Sequence, residues 1–274
     1  MSVIEDALRK SAQQQQTAPQ RPRSNFVASS WGTRVGQATG PEVPARHFRA
    51  AATDPEVIER NHILLGVSDV QVTRAYKILR TRVLHRLAAN NWRSVGITGT
   101  TAGEGKSLTA INLALALAQE VNTWVFLVDL DLQRSQVGGY LGMNVDYGVT
   151  DYLTGQCELD QCVYDIGVRR LAVIPNVRRA ENSSEFLTSP RMSEFVQTLI
   201  DENPRRVIVF DMPPLLATDD VLAFGPRVDS HLLVVSQGHT ARRTMSNAKE
   251  MLAEMNVIGV VLNRSTEHND SPYY

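Results

Sequence analysis

Two kinds of residue in this chain could do chemistry together: a glycine-rich loop with a lysine, and carboxylates that end apolar runs. The loop is "GITGTTAGEGKSLTAINLA", residues 96–114. An apolar run enters a glycine-rich turn, and Gly105-Lys106-Ser107 opens a stretch with helical periodicity. Glycines let the backbone curl so that several N–H groups converge on phosphate oxygens. The helix that follows adds the positive end of its dipole. In that geometry Lys106 reaches the β- and γ-phosphates of a nucleotide, and the Ser107 hydroxyl takes a place on Mg²⁺. The spacing departs from a strict G-x4-G-K-S, because Thr100 stands at the first glycine and Gly99 one residue earlier.

The carboxylates follow two other runs: "VFLVDLDLQR" supplies Asp129 and Asp131, and "VIVFDMPP" supplies Asp211. In a parallel sheet the carboxyl ends of the strands share an edge with the glycine-rich turn, so these acids are expected beside the metal and the γ-phosphate. A single aspartate after a strand is ordinarily a helix cap or a turn residue. Three at one edge beside a phosphate loop point to chemistry. Mg²⁺ takes oxygen ligands and keeps several waters, so one or two carboxylates suffice. A remaining one is free to accept a proton from an incoming nucleophile.

The elements that must position these groups are legible as well. "SVGIT" (94–98), "WVFLVD" (124–129), "LAVIP" (171–175), "RVIVFD" (206–211), "HLLVVS" (231–236) and "VIGVVLN" (257–263) are continuous apolar runs. Such runs fit strands buried on both faces of a parallel sheet. Between them, "SLTAINLALALAQEV", "SPRMSEFVQTLIDEN" and "TARRTMSNAKEMLAEM" carry helical periodicity. The expected fold is a doubly wound, mostly parallel α/β domain of the P-loop type over residues 63–264.

Residues 1–62 have a different texture. "SAQQQQTAPQRPRSN" and "GQATGPEVPAR" are Gln-, Pro- and Gly-rich, as linkers are. The start, "MSVIEDALRKS", has capping-box spacing at Ser2 and Glu5 and favourable pairs Glu5–Arg9 and Asp6–Lys10, the marks of a short docking helix. The last segment, 265–274, ends "SPYY", although Tyr is only 7 of the 274 residues. Pro272 keeps the residue before it extended, which presents Tyr273 and Tyr274.

Bulk composition excludes several classes. Lys plus Arg number 28 against 29 Asp plus Glu, so no basic field points to nucleic acid. The only cysteines, Cys157 and Cys162, form neither a disulfide framework nor a metal set with neighbouring residues. No apolar run approaches the roughly 20 residues needed to span a bilayer, which implies a cytoplasmic protein.

"GTTAGEGKS", the D-x-D after one apolar strand and "DMPP" after another resemble the three nucleotide motifs of the bacterial tyrosine kinases of capsule and exopolysaccharide synthesis. The resemblance runs from about residue 70 to 264 and includes "SSEFLTSPRM" and "GVVLNR". It implies the fold of the MinD/ParA-type ATPases, with ATP and Mg²⁺ as cofactors. Thr101 stands where the partition ATPases carry a second lysine, which favours the kinase branch. The resemblance implies Asp129 as general base, and Asp131 and Asp211 on the metal side with Ser107. It likewise implies that Gly103, Glu104, Gly105, Lys106, Ser107, Leu108, Asn263 and Arg264 line the nucleotide, and that Tyr273 and Tyr274 accept phosphate in trans. It further implies a homo-oligomer, a membrane activator or polysaccharide co-polymerase partner, a tyrosine phosphatase, and peripheral membrane association through that partner. Two positions depart from the family pattern. Gln133 replaces the arginine of D-x-D-L-R, and "RAYKILRT" places Arg74 where a glutamate that pairs across subunits is usual. An ATPase switch or a nucleotide-binding scaffold without tyrosine transfer stays open as the alternative.

Overall fold

The computed structural model describes residues 48–65, 69–201 and 206–265. The expected N-terminal helix and the tyrosines Tyr273 and Tyr274 lie outside the described residues.

In chain order the strands are β1 (Arg49–Ala50), β2 (Ser94–Gly99), β3 (Trp124–Asp129), β4 (Tyr164–Asp165), β5 (Leu171–Ile174), β6 (Arg206–Asp211), β7 (Ser230–Ser236) and β8 (Val257–Asn263). The helices are α1 (Pro55–Arg60), α2 (Val70–Asn90), α3 (Lys106–Ala118), α4 (Val137–Leu141), α5 (Val149–Leu153), α6 (Ser183–Thr188), α7 (Pro190–Asp201), α8 (Asp220–Phe224) and α9 (Arg242–Met251).

The strands form one sheet in the order β1-β4-β5-β3-β6-β2-β7-β8. Every neighbouring pair is parallel except β4 with β5. All six apolar runs are strands; five are buried in the sheet as expected, whereas β8, at the sheet edge, is half-buried with Leu262 exposed, because it has a neighbouring strand on one side only. Along β3, Val125 and Leu127 face one layer while Phe126 and Val128 face the other. β6 repeats this with Val207 and Val209 opposite Ile208 and Phe210. One layer holds Met192, Phe195 and Leu199 of α7 with Val221 and Phe224 of α8. The opposite layer holds α3, buried at nearly every position, together with Val83 and Leu87 of α2. Each fully buried Leu, Ile or Phe contributes on the order of 1.5–3 kcal/mol, so both layers hold the site's strands rigidly.

The domain begins earlier than residue 63. β1 pairs with β4, and α1 starts from Asp54, whose side chain accepts the N–H groups of Glu56 and Val57, with Pro55 in the first turn. Ile58 and Ile63 are buried. Asp-Pro before "EVIER" is a readable helix start, whereas a two-residue strand with both residues exposed has no periodicity to detect. The same segment is pinned from inside the fold. Asn112, the polar interruption of "AINLALALA", accepts the Leu64 N–H (2.9 Å) and donates to the His62 carbonyl (3.1 Å).

Candidate active site

The phosphate loop joins β2 to α3. Gly103 (φ +81°) and Gly105 (φ +91°) hold left-handed conformations that side chains resist. At Gly105 a Cβ would also lie 2.0 Å from the Asn263 amide nitrogen, so only glycine fits. Among the described residues no protein acceptor takes the N–H groups of Gly103, Glu104 or Gly105. That leaves donors at the N-terminus of α3, where Lys106 and Ser107 are both buried.

Glu104 does not point where its position in the loop suggests. Its side chain is fully buried beneath the loop and accepts the Thr100 and Thr101 N–H groups. Burial alone would raise its pKa. Hydrogen bonds from Thr100, Thr240 and Thr101 outweigh that and hold it below the usual carboxylate range. Gly99 makes room for this: a Cβ there would lie 2.5 Å from Glu104 Oε2 and 3.0 Å from Lys106 Cγ. The early glycine that departs from the strict motif therefore has a steric cause.

The acids converge through sheet register. Asp129 at the end of β3 is the direct cross-strand partner of Asp211 at the end of β6, and Ile97 of β2 lies beside Asp211 on its other side. Neighbouring parallel strands are about 4.8 Å apart, so two carboxylates share one level of the sheet. Asp129 is fully buried; Oδ2 accepts the Gln136 and Val137 N–H groups, both at 3.0 Å, and Oδ1 accepts the Asp131 N–H (3.2 Å). Burial, then the Asp211 charge, pushes its pKa well up, and the Val137 N–H opposes the shift. Asp211 is raised too, first by burial, with the Ser107 hydroxyl and the Lys106 ammonium opposing. Both Asp211 oxygens are buried without a partner in hydrogen-bond geometry, so Ser107 and Lys106 are neighbours rather than saturating partners.

Asp131 lies nearer the opening, 8% exposed, and accepts the Arg134 N–H (3.0 Å). Burial raises it, while Lys106 and Arg134 oppose the shift. Arg134 thus brings a positive charge to the acids from one position beyond Gln133. Gln133 itself turns away from the acids. It donates to Ser183 Oγ (2.8 Å), which donates to Asp220 (2.7 Å) and so ties the acidic loop to α6 and α8. Gln136 accepts from the Ser107 hydroxyl at 3.5 Å. The roles of Ser183 and Gln136 escaped the sequence reading because a lone serine or glutamine carries no motif of its own.

Asn263, at the end of β8, donates to the Glu104 carbonyl (2.9 Å). Arg264, also left-handed (φ +54°), donates its N–H to Asn263 Oδ1 and exposes its side chain. Leu108 packs against the α2–α3 layer. The structure therefore groups Lys106, Ser107, Asp129, Asp131 and Asp211, and it places Asn263 on the loop's flank. Among the described residues no three acidic, histidine or cysteine side chains form a ready-made metal cage. Open carboxylates beside a phosphate loop suit an ion that keeps waters and shares ligands with phosphate. The orphaned Asp211 oxygens next to Ser107 fit Mg²⁺. Cys157 and Cys162 are free thiols, both buried.

Comparison with known proteins gives the family and the fold. The family model for the CobQ/CobB/MinD/ParA nucleotide binding domain matches residues 95–273. The chain is 29% identical over 221 residues to the tyrosine-protein kinase YwqD of Bacillus subtilis (strain 168), covering 79% of this chain and 92% of that one. It superposes on the crystal structure of the VpsO kinase domain with a TM-score of 0.63 at 30% identity, covering 71% of this chain and 97% of that one. The septum site-determining protein MinD of Pyrococcus horikoshii OT3, solved with Mg-ADP, shares the fold: TM-score 0.53, 21% identity, 65% of this chain and 72% of that one.

Proposed function

Because the chain belongs to the CobQ/CobB/MinD/ParA nucleotide-binding family, and within it to the bacterial tyrosine kinases, we propose that it is an ATP-dependent protein-tyrosine autokinase. The observation that carries this reading is the meeting of Lys106 with three buried carboxylates at one sheet edge.

Lys106 and the free N–H groups of Gly103 to Gly105 hold the β- and γ-phosphates. Mg²⁺, bound through Ser107 and Asp211 with Asp131 close by, would neutralise charge that builds on the transferred group. A tyrosine hydroxyl, pKa about 10, needs a base to attack at neutral pH. Asp129 has the raised proton affinity a base requires, and the 131–137 segment that covers it must yield to admit the tyrosine. The phenolic oxygen bonds to the γ-phosphorus, its proton passes to the carboxylate, and ADP leaves with the electrons of the broken bond.

Tyr273 and Tyr274 are the proposed acceptors. About ten residues follow Asn263 and span at most roughly 35 Å, enough to reach a neighbouring copy's site. Phosphorylation adds roughly −1.5 to −2 per tyrosine to a tail already holding Glu267 and Asp270. Repulsion from the acidic edge then releases the tail and loosens a homo-oligomer. No helix among the described residues is long and apolar enough to cross a membrane. From the likeness to tyrosine kinases, the proposal includes a membrane activator, a cognate phosphatase, and a role in exopolysaccharide or capsule synthesis.

The test is incubation of the full chain and its activator with Mg-ATP, followed by intact mass and anti-phosphotyrosine detection. Wild type is expected to gain phosphate in the C-terminal peptide, and a Tyr273→Phe/Tyr274→Phe double variant is not. ATP hydrolysis with no phosphotyrosine would assign the protein to the ATPase switches instead.

A further inference from the structure

An acidic residue inside a phosphate loop raises an electrostatic question, since its charge opposes the ligand's. The structure answers it with five hydrogen bonds onto the Glu104 carboxylate. Oε2 accepts the N–H groups of Thr100 (2.6 Å) and Thr101 (3.0 Å). Oε1 accepts the hydroxyls of Thr100 (2.5 Å), Thr101 (3.3 Å) and Thr240 (2.5 Å). Four of these are local. The fifth comes from a residue 136 positions away, on the segment between β7 and α9.

That segment is itself fixed. The Thr240 hydroxyl accepts the Ser236 N–H (2.9 Å), so it has one orientation in which to donate to Glu104. Gln237 N–H bonds the Asn263 carbonyl (3.0 Å), and the His239 ring lies 3.3 Å from the Ala102 carbonyl. The segment thus grips the phosphate loop at Ala102 and at Glu104. On the far side, Glu104 and the Lys106 stem pack against the same bare face of Gly99. Movement of the carboxylate is therefore transmitted to the lysine that meets the phosphates.

We propose that Glu104 and Thr240 are positioning residues that lock the phosphate loop in its ligand-accepting shape, so that the 237–240 segment sets nucleotide affinity. The Glu104 carboxylate is fully buried and taken up by these bonds, and the Thr240 hydroxyl is engaged with Ser236 and Glu104. Thr240 delivers its effect through Glu104, and Glu104 delivers it through the loop backbone and Lys106. The inference rests on the nucleotide-binding part of the proposed function and not on tyrosine transfer.

The experiment is calorimetric titration of Mg-ATP into the full chain and its variants, with thermal unfolding of each nucleotide-free protein alongside. Thr240→Val removes the hydroxyl and keeps the shape; the dissociation constant should rise about tenfold if the bond's contribution to the folded loop is needed to hold its ligand-accepting shape. Thr240→Ser should restore affinity to within about twofold. Glu104→Gln puts an amide donor among donors and should weaken binding at least as much. Adding Thr240→Val to Glu104→Gln should then cost no more than about twofold further, because both act through one contact. Wild-type affinity in Thr240→Val would overturn the proposal, as would losses that multiply in the double variant. If Glu104→Gln does not fold, the Thr240→Val and Thr240→Ser pair alone decides. Failure of the tyrosine-kinase reading shows up separately, as Mg-ATP binding without phosphotyrosine.

Discussion

His231 offers a prediction whose size follows from its surroundings. It is the second residue of β7, 1% exposed, and neither ring nitrogen has a hydrogen-bond partner. Its ring lies against the bare faces of Gly96 and Gly225, which the side chains of Met212, Val228 and Met255 also approach. Burial, with no charged group contributing, lowers its pKa from 6.5 to about 4. The folded state thus holds the ring neutral, while the unfolded chain takes up a proton near pH 6.5. The unfolded state binds more protons between those two values, so stability present above pH 6.5 is lost as pH falls towards 4. Linkage over the step from pH 7.5 to 5 amounts to about 2 kcal/mol. Asp129 and Asp211, whose pKa values are raised, work in the opposite direction, so the His231 share must be isolated by difference. The perturbation is His231→Leu, which fills similar space and cannot titrate. Urea unfolding of both proteins at pH 7.5 and pH 5 should show wild type losing about 2 kcal/mol more than the variant over that step. Equal losses in the two proteins would refute the claim that His231 is held neutral by burial.

Four further outcomes are expected. Lys106→Ala should weaken Mg-ATP binding by about ten- to a hundredfold, the loss of a charge-assisted contact, as read by titration. Asp129→Asn should reduce phosphotransfer by about 10²–10⁴-fold while leaving nucleotide affinity near wild type; if Asp129→Asn stays active and Asp131→Asn does not, the base role passes to Asp131. Asn112→Ala leaves the Leu64 N–H and His62 carbonyl without their partner, and should destabilise the domain by about 1–3 kcal/mol in urea unfolding. If the "MSVIEDALRK" segment docks on the proposed membrane partner, deleting residues 2–11 should change the localisation of a fluorescent fusion without changing ATP affinity, and unchanged localisation would assign the segment another role.

Much of this protein is written locally in its chain. Strands β2, β3 and β5 to β7 are legible because each is a run of apolar residues buried in the sheet, and β8 is legible from the same kind of run although it lies half-buried at the sheet edge with Leu262 exposed. The phosphate loop is legible because Gly103, Gly105, Lys106 and Ser107 act within one turn, where spacing in sequence is spacing in space. The three aspartates are legible because each lies at or just past the end of a strand. Tertiary structure decided the rest. That Asp129 faces Asp211 depends on the register of β3 against β6, which no single strand specifies. The role of Glu104 depends on Thr240, that of Gln133 on Ser183 and Asp220, and that of Asn112 on the chain before α2. β1 and β4, two residues each, are too short to show any period and exist because neighbouring strands offer them partners. Local spacing selects backbone conformation and exposure, whereas a hydrogen bond across 136 residues forms only once the sheet has brought its two ends together.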